Sequence, residues 1–302
     1  DLHYPLRRQR QMCIRDRLST MKKITSLLFM MFFVAINAQI RIELPYTETG
    51  LEIYPEKTFD SFFGEGVFID NVTKPEMHFY EAKGENITDK VMIICPGGGL
   101  FYSAYEKEGT LVAEKLSDNG INAIVLKYTL YPIDGNAQKW LNENWGFQDD
   151  IIKKAKKTLP FSTNDALNAI ENIRQNSKKY KVDPNKIGLM GFSAGGAVTM
   201  EASYKATEKN QPNFIAPIYP WMLIVEDQKV PDNKPPAFIS CANNDILELA
   251  PLSVKIYQDW ILADAKAELH MYDMGGHGFG MTMQNSPVDN WSNLLVDWIL
   301  SL

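Results

Sequence analysis

The decisive stretch is Ile187-Gly188-Leu189-Met190-Gly191-Phe192-Ser193-Ala194-Gly195, an apolar run that ends in the pattern G-x-S-x-G. An apolar run without polar alternation predicts a strand buried on both faces, and residues 196–200 predict a helix directly after it. A sharp turn between strand and helix holds its central residue in a strained backbone conformation and exposes it at the carboxyl edge of the sheet. We therefore predict that Ser193 is a nucleophile.

Strands and helices alternate on both sides of this stretch. Residues 91–95 form a second apolar run, a helix is predicted over about 106–118, and another strand over 121–126. This β-α-β order predicts an α/β fold, with a mostly parallel central sheet and helices on both faces. Further strands are predicted at 214–219, 237–241 and 267–272, and further helices from Asn164, at 252–263 and around 291–298.

The chain divides into three predicted segments. Residues 1–20 are interpreted as a non-native leader, because part of them resembles a translated sequencing adaptor. Residues 21–38 have a basic start, an uncharged apolar stretch and small residues at the end, which predicts a secretory signal peptide, with an uncleaved anchor as the alternative. Residues 39–302 are predicted to form a single catalytic domain with an irregular insertion near 131–160.

Charge is distributed unevenly between these segments. Residues 1–38 carry seven basic and two acidic residues, whereas residues 39–302 carry 24 basic and 35 acidic residues. A body this acidic repels phosphate and gives no attraction to anionic membranes. We therefore expect neither a nucleic-acid partner nor a membrane partner once the signal is removed. The predicted signal peptide implies that the protein is secreted or periplasmic.

A serine hydroxyl needs a base, and a base needs an orienting acid. His277 lies in a glycine-rich loop after the last predicted strand, where it could reach the serine, whereas His270 lies within a strand and His78 is predicted at the surface. Asp245 follows a predicted strand and is the expected acid. Its rivals, Asp227 and Asp232, lie in a polar loop that does not directly follow a strand.

An acyl-transfer site also needs two backbone N–H donors for the developing oxyanion. Ala194, next to the nucleophile, is expected to supply one of them. Gly98 or Gly99, in the glycine run after residues 91–95, is expected to supply the other, because glycine allows the backbone to approach a substrate closely.

These motifs together carry a family resemblance. Pro96-Gly97-Gly98-Gly99, Glu108-Gly109, the segment 191–196 and the segment 275–280 resemble the α/β-hydrolase superfamily, in particular bacterial secreted esterases of the acetylxylan and feruloyl type, often associated with xylanases. The order Ser193, Asp245, His277 is the order of this superfamily. One departure is Pro96, where many related lipases carry His.

The resemblance implies a serine carboxylic-ester hydrolase that removes acetyl or feruloyl groups from a polysaccharide such as xylan. Its partner would be an acylated carbohydrate or a small ester, and the chemistry requires no cofactor and no metal. The same triad would also serve a lipase, a general carboxylesterase or an exopeptidase, and a non-catalytic carbohydrate-binding protein is a further alternative. Trp140, Trp145 and Trp221 are candidate substrate-binding residues, since each follows a strand toward the predicted site.

Two cysteines outside the leader, Cys95 and Cys241, end strands that the predicted sheet order separates. A disulfide needs Cα atoms within about 7 Å of each other. We therefore predict two free, buried thiols.

Overall fold

The computed structural model describes residues 40–302, so the leader and signal peptide predicted over 1–38 lie outside the described residues. Residues 40–302 are built on an eight-stranded sheet of order β1-β4-β7-β5-β8-β9-β10-β11. The six strands from β7 to β11 in that order run parallel, while β4 is antiparallel to both of its neighbours. The bounds of the sheet strands are β1 Ile40–Glu43, β4 Glu76–Tyr80, β5 Val91–Cys95, β7 Asn122–Lys127, β8 Ile187–Phe192, β9 Phe214–Ile218, β10 Ala237–Ala242 and β11 Ala267–Tyr272.

A second, three-stranded sheet of order β2-β3-β6 packs beside the main one; its strands are β2 Lys57–Asp60, β3 Val67–Asp70 and β6 Tyr102–Ser103. The helices are α1 Leu111–Asp118, α2 Ala137–Asn144, α3 Gln148–Gln175, α4 Ser177–Tyr180, α5 Ala194–Lys205, α6 Ala250–Leu262 and α7 Trp291–Ser301. A single π-helical turn, Glu106–Thr110, precedes α1.

The core lies on both faces of the central strands. Every residue of β5, β7, β8, β9 and β10 is buried, which explains why their sequences lack polar alternation. The helix α3 packs against α5, and α1 packs against α7, so the sheet is covered by helices as predicted. The edge strand β11 is only partly buried.

The sequence predicted irregular structure in the insertion near 131–160, and this prediction is wrong for most of that stretch. Residues 137–144 form α2, and α3 begins at Gln148 and continues without a break to Gln175, whereas the sequence predicted a helix only from Asn164. Pro160 lies inside α3, where it cannot donate the usual backbone hydrogen bond. Tertiary packing compensates for that loss, because Ile151, Ala155 and Leu159 are buried in the core.

The parallel arrangement gathers the functional segments at one edge. The carboxyl ends of β5, β8, β9, β10 and β11 all point to the same side, and each is followed by a loop or a helix start. In open parallel sheets, ligands bind beyond this edge. Within residues 40–302, no helix combines the length and the apolar character that crossing a membrane requires.

Candidate active site

Ser193 occupies the turn between β8 and α5, with φ 51° and ψ −116°, a backbone conformation that is strained for a residue with a side chain. The turn is held on both sides, because the Ser193 N–H donates to the carbonyl of Ile218 (3.1 Å) and its carbonyl accepts from the N–H of Trp221 (2.9 Å). The serine is 8% exposed. The structure thus presents Ser193 at the predicted strand–helix turn.

The glycines of the motif are required by close backbone contacts. A Cβ at Gly191 would lie 2.1 Å from the carbonyl oxygen of Gly195, and a Cβ at Gly195 would lie 2.0 Å from that of Cys95. Real Cβ atoms essentially never approach this closely. The turn can therefore form only with glycine at both positions.

His277 and Asp245 complete a chain of hydrogen bonds to the serine. Nε2 of His277 lies 2.9 Å from Oγ of Ser193, and Nδ1 lies 2.9 Å from Oδ2 of Asp245. The Asp245 side chain is fully buried, and that of His277 is 19% exposed. The rival Asp227 is exposed and pairs with Lys255 instead, and Asp232 is also exposed.

Asn244, which the sequence analysis did not single out, holds the histidine loop in place. Its side-chain oxygen accepts hydrogen bonds from the N–H groups of Gly275 (3.0 Å) and Gly276 (2.8 Å). The neighbouring Asp245 is itself fixed, because its Oδ1 accepts the N–H of Leu247 at 2.8 Å. The loop that follows β10 therefore orients the carboxylate and the histidine loop together.

Backbone donors lie beside the serine. Within residues 40–302, no protein group accepts a hydrogen bond from the N–H of Gly98, Gly99 or Ala194. Gly98 and Gly99 line the same cleft as Ser193, and Ala194 begins α5 directly after it. Gly98 has φ +130°, and a Cβ there would lie 1.9 Å from the carbonyl oxygen of Tyr102. These N–H groups are available for an oxyanion.

A buried carboxylate links this glycine loop to the histidine loop. Oε2 of Glu108 accepts the N–H of Gly97 at 2.7 Å, and Oε1 accepts the hydroxyl of Tyr219 at 2.8 Å. The Tyr219 hydroxyl in turn accepts the N–H of Gly280 at 3.1 Å. Burial and the adjacent Glu108 carboxylate raise the pKa of Tyr219 well above its ordinary value, so its hydroxyl stays protonated. Glu108 was visible only as part of a family motif, and Tyr219 as the end of a strand.

The cleft in front of the triad has a volume of about 440 Å³. Ser193, His277, Trp145 and Trp221 line it, together with apolar side chains such as Leu141 and with the polar residues Glu65, Lys107 and Glu108. Trp140 does not line it, which corrects the sequence expectation for that residue. Its ring packs 5.1 Å from that of Phe101 and lies under the ammonium group of Lys154.

The other two histidines of residues 40–302 are not part of this site. His78 is 4% exposed, so the prediction of a surface position is wrong. Its ring nitrogens contact the hydroxyl of Tyr105 and the carboxylate of Glu76, and burial lowers its pKa. His270 lies within β11, where it stacks on Phe238. Among residues 40–302, no group of three His, Cys, Asp or Glu side chains is arranged to hold a metal ion.

With this geometry established, comparisons with known proteins identify the fold. Residues 155–234 match a family model described as the alpha/beta hydrolase fold. A structure of an acetyl ester-xyloside bifunctional hydrolase from Caldicellulosiruptor lactoaceticus superposes with a TM-score of 0.58 at 23% identity, covering 76% of this chain and 88% of that one. The chain has the α/β-hydrolase fold. The fold predicted from the sequence and its resemblance to esterase-type α/β-hydrolases are thereby confirmed.

Three further proteins extend the comparison. A carboxylesterase from Lactobacillus plantarum WCFS1 superposes with a TM-score of 0.56 at 19% identity, covering 82% of this chain and 96% of that one. Over 250 residues the chain is 24% identical to an acetylxylan esterase of Xylanibacter ruminicola. Over 161 residues it is 26% identical to endo-1,4-beta-xylanase B of Butyrivibrio fibrisolvens.

These sequence matches cover only parts of the relatives. The match to the acetylxylan esterase includes 72% of this chain but 47% of that protein, and the match to the xylanase includes 49% of this chain but 22% of that protein. The chain thus spans about half the length of the first relative and about a fifth of the second.

Proposed function

We propose that this α/β-hydrolase is a serine esterase, with Ser193 as nucleophile, His277 as general base and acid, and Asp245 as the orienting acid. The observation that carries the proposal is the hydrogen-bonded series from Asp245 through His277 to Ser193, which ends in a cleft beside unpaired backbone N–H groups. This arrangement suits acyl transfer, in which a weak hydroxyl nucleophile is activated by a base and the oxyanion is held by fixed dipoles.

In the first half-reaction, Oγ of Ser193 attacks the ester carbonyl while Nε2 of His277 takes its proton. The carbonyl oxygen becomes an oxyanion that accepts hydrogen bonds from the N–H of Ala194 and from Gly98 or Gly99. Asp245 stabilises the imidazolium and keeps its Nδ1 protonated. The tetrahedral intermediate collapses, His277 protonates the departing alcohol, and an acyl-serine remains.

In the second half-reaction, water attacks the acyl-serine. His277 accepts a proton from the water, the oxyanion forms again in the same place, and collapse returns the proton to Oγ of Ser193 as the free acid leaves. Every step uses side chains and backbone groups of this chain, so the reaction needs no cofactor.

We propose an acylated carbohydrate as substrate, with an acetyl or feruloyl group as the acyl part. His277 delivers its proton to the leaving alcohol, so the alcohol must lie on the histidine side of the cleft. That side is polar, because Nζ of Lys107 lies beside the histidine loop, 3.8 Å from where a Cβ of Gly278 would be. The same Nζ pairs with Glu65 at 2.5 Å. A charged pair at this place can exchange hydrogen bonds with sugar hydroxyl groups.

The aromatic residues Trp145 and Trp221 also fit such a substrate. Trp145 is 40% exposed in the cleft wall, whereas Trp221 is 6% exposed and lies beside the serine. Sugar rings and aromatic acids both pack on indole faces. The similarity to an acetylxylan esterase supports a carbohydrate ester as substrate. We also propose that the protein is secreted, in line with the predicted signal peptide.

The test is a panel of esters hydrolysed by the purified protein: p-nitrophenyl acyl esters of increasing chain length, acetylated xylan and methyl ferulate. We expect turnover of the short p-nitrophenyl esters and release of acetate or ferulate from the natural type of ester. Turnover of p-nitrophenyl esters alone would favour a general carboxylesterase, and a preference for long acyl chains would favour a lipase.

A substitution in the polar end of the cleft tests the alcohol side directly. Glu65→Gln should lower kcat/KM on acetylated xylan roughly tenfold more than on p-nitrophenyl acetate, because only the first has sugar hydroxyls to bind. Glu81→Gln is the matched control, since Glu81 pairs with Lys181 on the exposed surface. An equal loss on both esters would contradict the assignment of the alcohol side.

A further inference from the structure

Glu108 touches both loops that flank the nucleophile. Its Oε2 holds the N–H of Gly97, the residue before the two glycines that carry the expected oxyanion donors. Its side-chain stem packs on the histidine loop, because a Cβ at Gly280 would lie 3.0 Å from its Cγ. Its Oε1 reaches the same loop a second time through the hydroxyl of Tyr219.

The packing around this carboxylate leaves little freedom. A Cβ at Gly97 would lie 2.6 Å from Oε2 of Glu108 and 3.1 Å from Cβ of Ser193, so carboxylate, glycine loop and nucleophile are in direct contact. Glu108 is 3% exposed and Tyr219 is fully buried. Although Glu108 borders the cleft, both of its oxygens are occupied by protein donors.

The backbone that carries Glu108 reinforces the link. Glu108 lies in the π-helical turn Glu106–Thr110, a rare form of helix that is frequently found at functional sites. The carbonyl of the preceding residue, Lys107, accepts the N–H of Met281 at 3.2 Å. The turn therefore binds the histidine loop through its main chain as well as through the Glu108 side chain.

We propose that Glu108, acting with Tyr219, is a positioning residue that sets the oxyanion glycines and His277 in register with Ser193. The inference rests on the proposed esterase function and names a residue that acts through its neighbours. A carboxylate is suited to this task because it accepts from two donors at once, and hydrogen bonds to a charged acceptor are stronger than those between neutral groups. Fixed donors lower a reaction barrier only when their geometry is set before the reaction.

The role predicts a specific kinetic pattern. Misplaced oxyanion donors weaken the transition state more than the bound ester, so kcat should fall while KM changes less than about threefold. Glu108→Ala, which leaves Gly97 and Tyr219 without their acceptor, should lower kcat about 10² to 10³-fold, the range seen when an oxyanion donor is lost. Glu108→Gln keeps one acceptor oxygen and should restore most of that loss.

The experiment compares Glu108→Ala, Glu108→Gln, Tyr219→Phe and the double variant Glu108→Gln/Tyr219→Phe on p-nitrophenyl acetate. The rates are normalised to the serines that react with a fluorophosphonate at saturation, so that misfolded protein does not count. Tyr219→Phe should lower kcat roughly tenfold, and the double variant should lose less than the product of the two single losses, because the residues form one network.

Glu201→Gln is the matched control, since Glu201 is also a buried glutamate but lies in α5 and pairs with Lys205. It should retain wild-type kcat per reactive serine. If Glu108→Ala does not fold, Tyr219→Phe and the double variant still decide. Glu108→Ala or Tyr219→Phe as active per reactive serine as wild type would overturn the inference, as would losses confined to KM. A wild-type protein without esterase activity would instead overturn the proposed function.

Discussion

Within residues 40–302, two cavities lie at opposite edges of the main sheet. The cleft at the carboxyl edge measures about 440 Å³, and a cavity at the amino edge measures about 590 Å³. The larger one is lined by lysines, by chain segments that enter the strands and by Trp298 and Ser301 of α7. The smaller one is lined by the strained Ser193, by His277 and by the glycine loops.

The proposed active site therefore rests on converging polar groups and not on cavity size. At the carboxyl edge, Ser193, Asp245 and His277 arrive from three different loops and share hydrogen bonds. At the amino edge, two of the three lining lysines have separate partners: Lys90 donates to carbonyl groups at the end of α7, and Lys186 pairs with Asp89. Matched substitutions at the two edges test this contrast.

The largest effect is expected at Ser193, and a serine that lines the other cavity serves as its control. Ser193→Ala should lower kcat on p-nitrophenyl acetate by four powers of ten or more, because no other group can form the acyl intermediate, and losses of about 10⁶ are known for catalytic serines. Ser301→Ala, at the amino edge, should leave kcat within twofold. Retained activity in Ser193→Ala, with the fold checked by circular dichroism, would refute the nucleophile assignment.

The acid should matter nearly as much. Asp245→Asn should keep the protein folded but lower kcat by roughly 10³ to 10⁴, since an amide cannot hold His277 in the required tautomer. Asp227→Asn, which only breaks an exposed pair with Lys255, should be silent in the same steady-state assay. A dead Asp227→Asn beside a fully active Asp245→Asn would leave the serine and histidine in place but reassign the acid.

A glycine pair tests the oxyanion loop. Gly98→Ala would place a Cβ 1.9 Å from the Tyr102 carbonyl oxygen at a φ of +130°, so the loop must move and kcat should fall about 10² to 10³-fold. Gly146→Ala, where an added Cβ meets nothing within 4 Å, should behave as wild type. Equal kinetics for the two variants would show that the loop geometry does not govern turnover.

The smallest effect concerns stability and lies outside both cavities. Burial raises the pKa of Asp165 to about 6, although it accepts the N–H of Thr129 at 2.8 Å. The native state therefore keeps this proton at pH values where the unfolded chain has lost it, so the folded state loses stability as the pH rises from about 4 to 7. Asp165→Asn should remove this loss of unfolding free energy with rising pH, which is on the order of 1 to 3 kcal/mol.

Urea unfolding at pH 5 and at pH 7.5 measures this effect. The unfolding free energy of Asp165→Asn minus that of wild type should be larger at pH 7.5 than at pH 5. For the exposed Asp118→Asn, the same difference should be equal at the two pH values. A pH-independent difference for Asp165→Asn would mean that the carboxyl titrates normally in the fold. Ester hydrolysis per reactive serine should remain unchanged in both variants.

The parts of the fold and site that were predictable come from local sequence signals. Buried parallel strands such as β5 and β8 have continuous apolar runs, and the turn around Ser193 is specified by glycines that nothing else can replace. The positions of His277 and Asp245 follow from the same logic, since each comes directly after a strand of a parallel sheet. Their hydrogen-bonding distances agree with the roles predicted for them.

The rest depends on contacts between segments that are distant in sequence. Glu108 meets Tyr219 across 111 residues, and no local pattern distinguishes its buried carboxylate from a glutamate on a solvated helix. Residues 148–163 contain a proline, which disfavours the interior of a helix, and they fold into α3 because their apolar side is packed in the core. His78 precedes the parallel strands, yet strand pairing places it beneath Tyr105.

Both cysteines of the described chain are buried, unbridged and close to the chemistry, since Cys95 precedes the glycine loop and Sγ of Cys241 lies 3.9 Å from Oδ2 of Asp245. Burial raises the pKa of Cys241 to about 11 and raises that of Cys95 as well. Thiols in this state react slowly with maleimides and with oxidants, which attack thiolates. A cysteine introduced on an exposed loop of residues 40–302 should therefore take a fluorescent or spin label in preference to Cys95 and Cys241, which can be left in place.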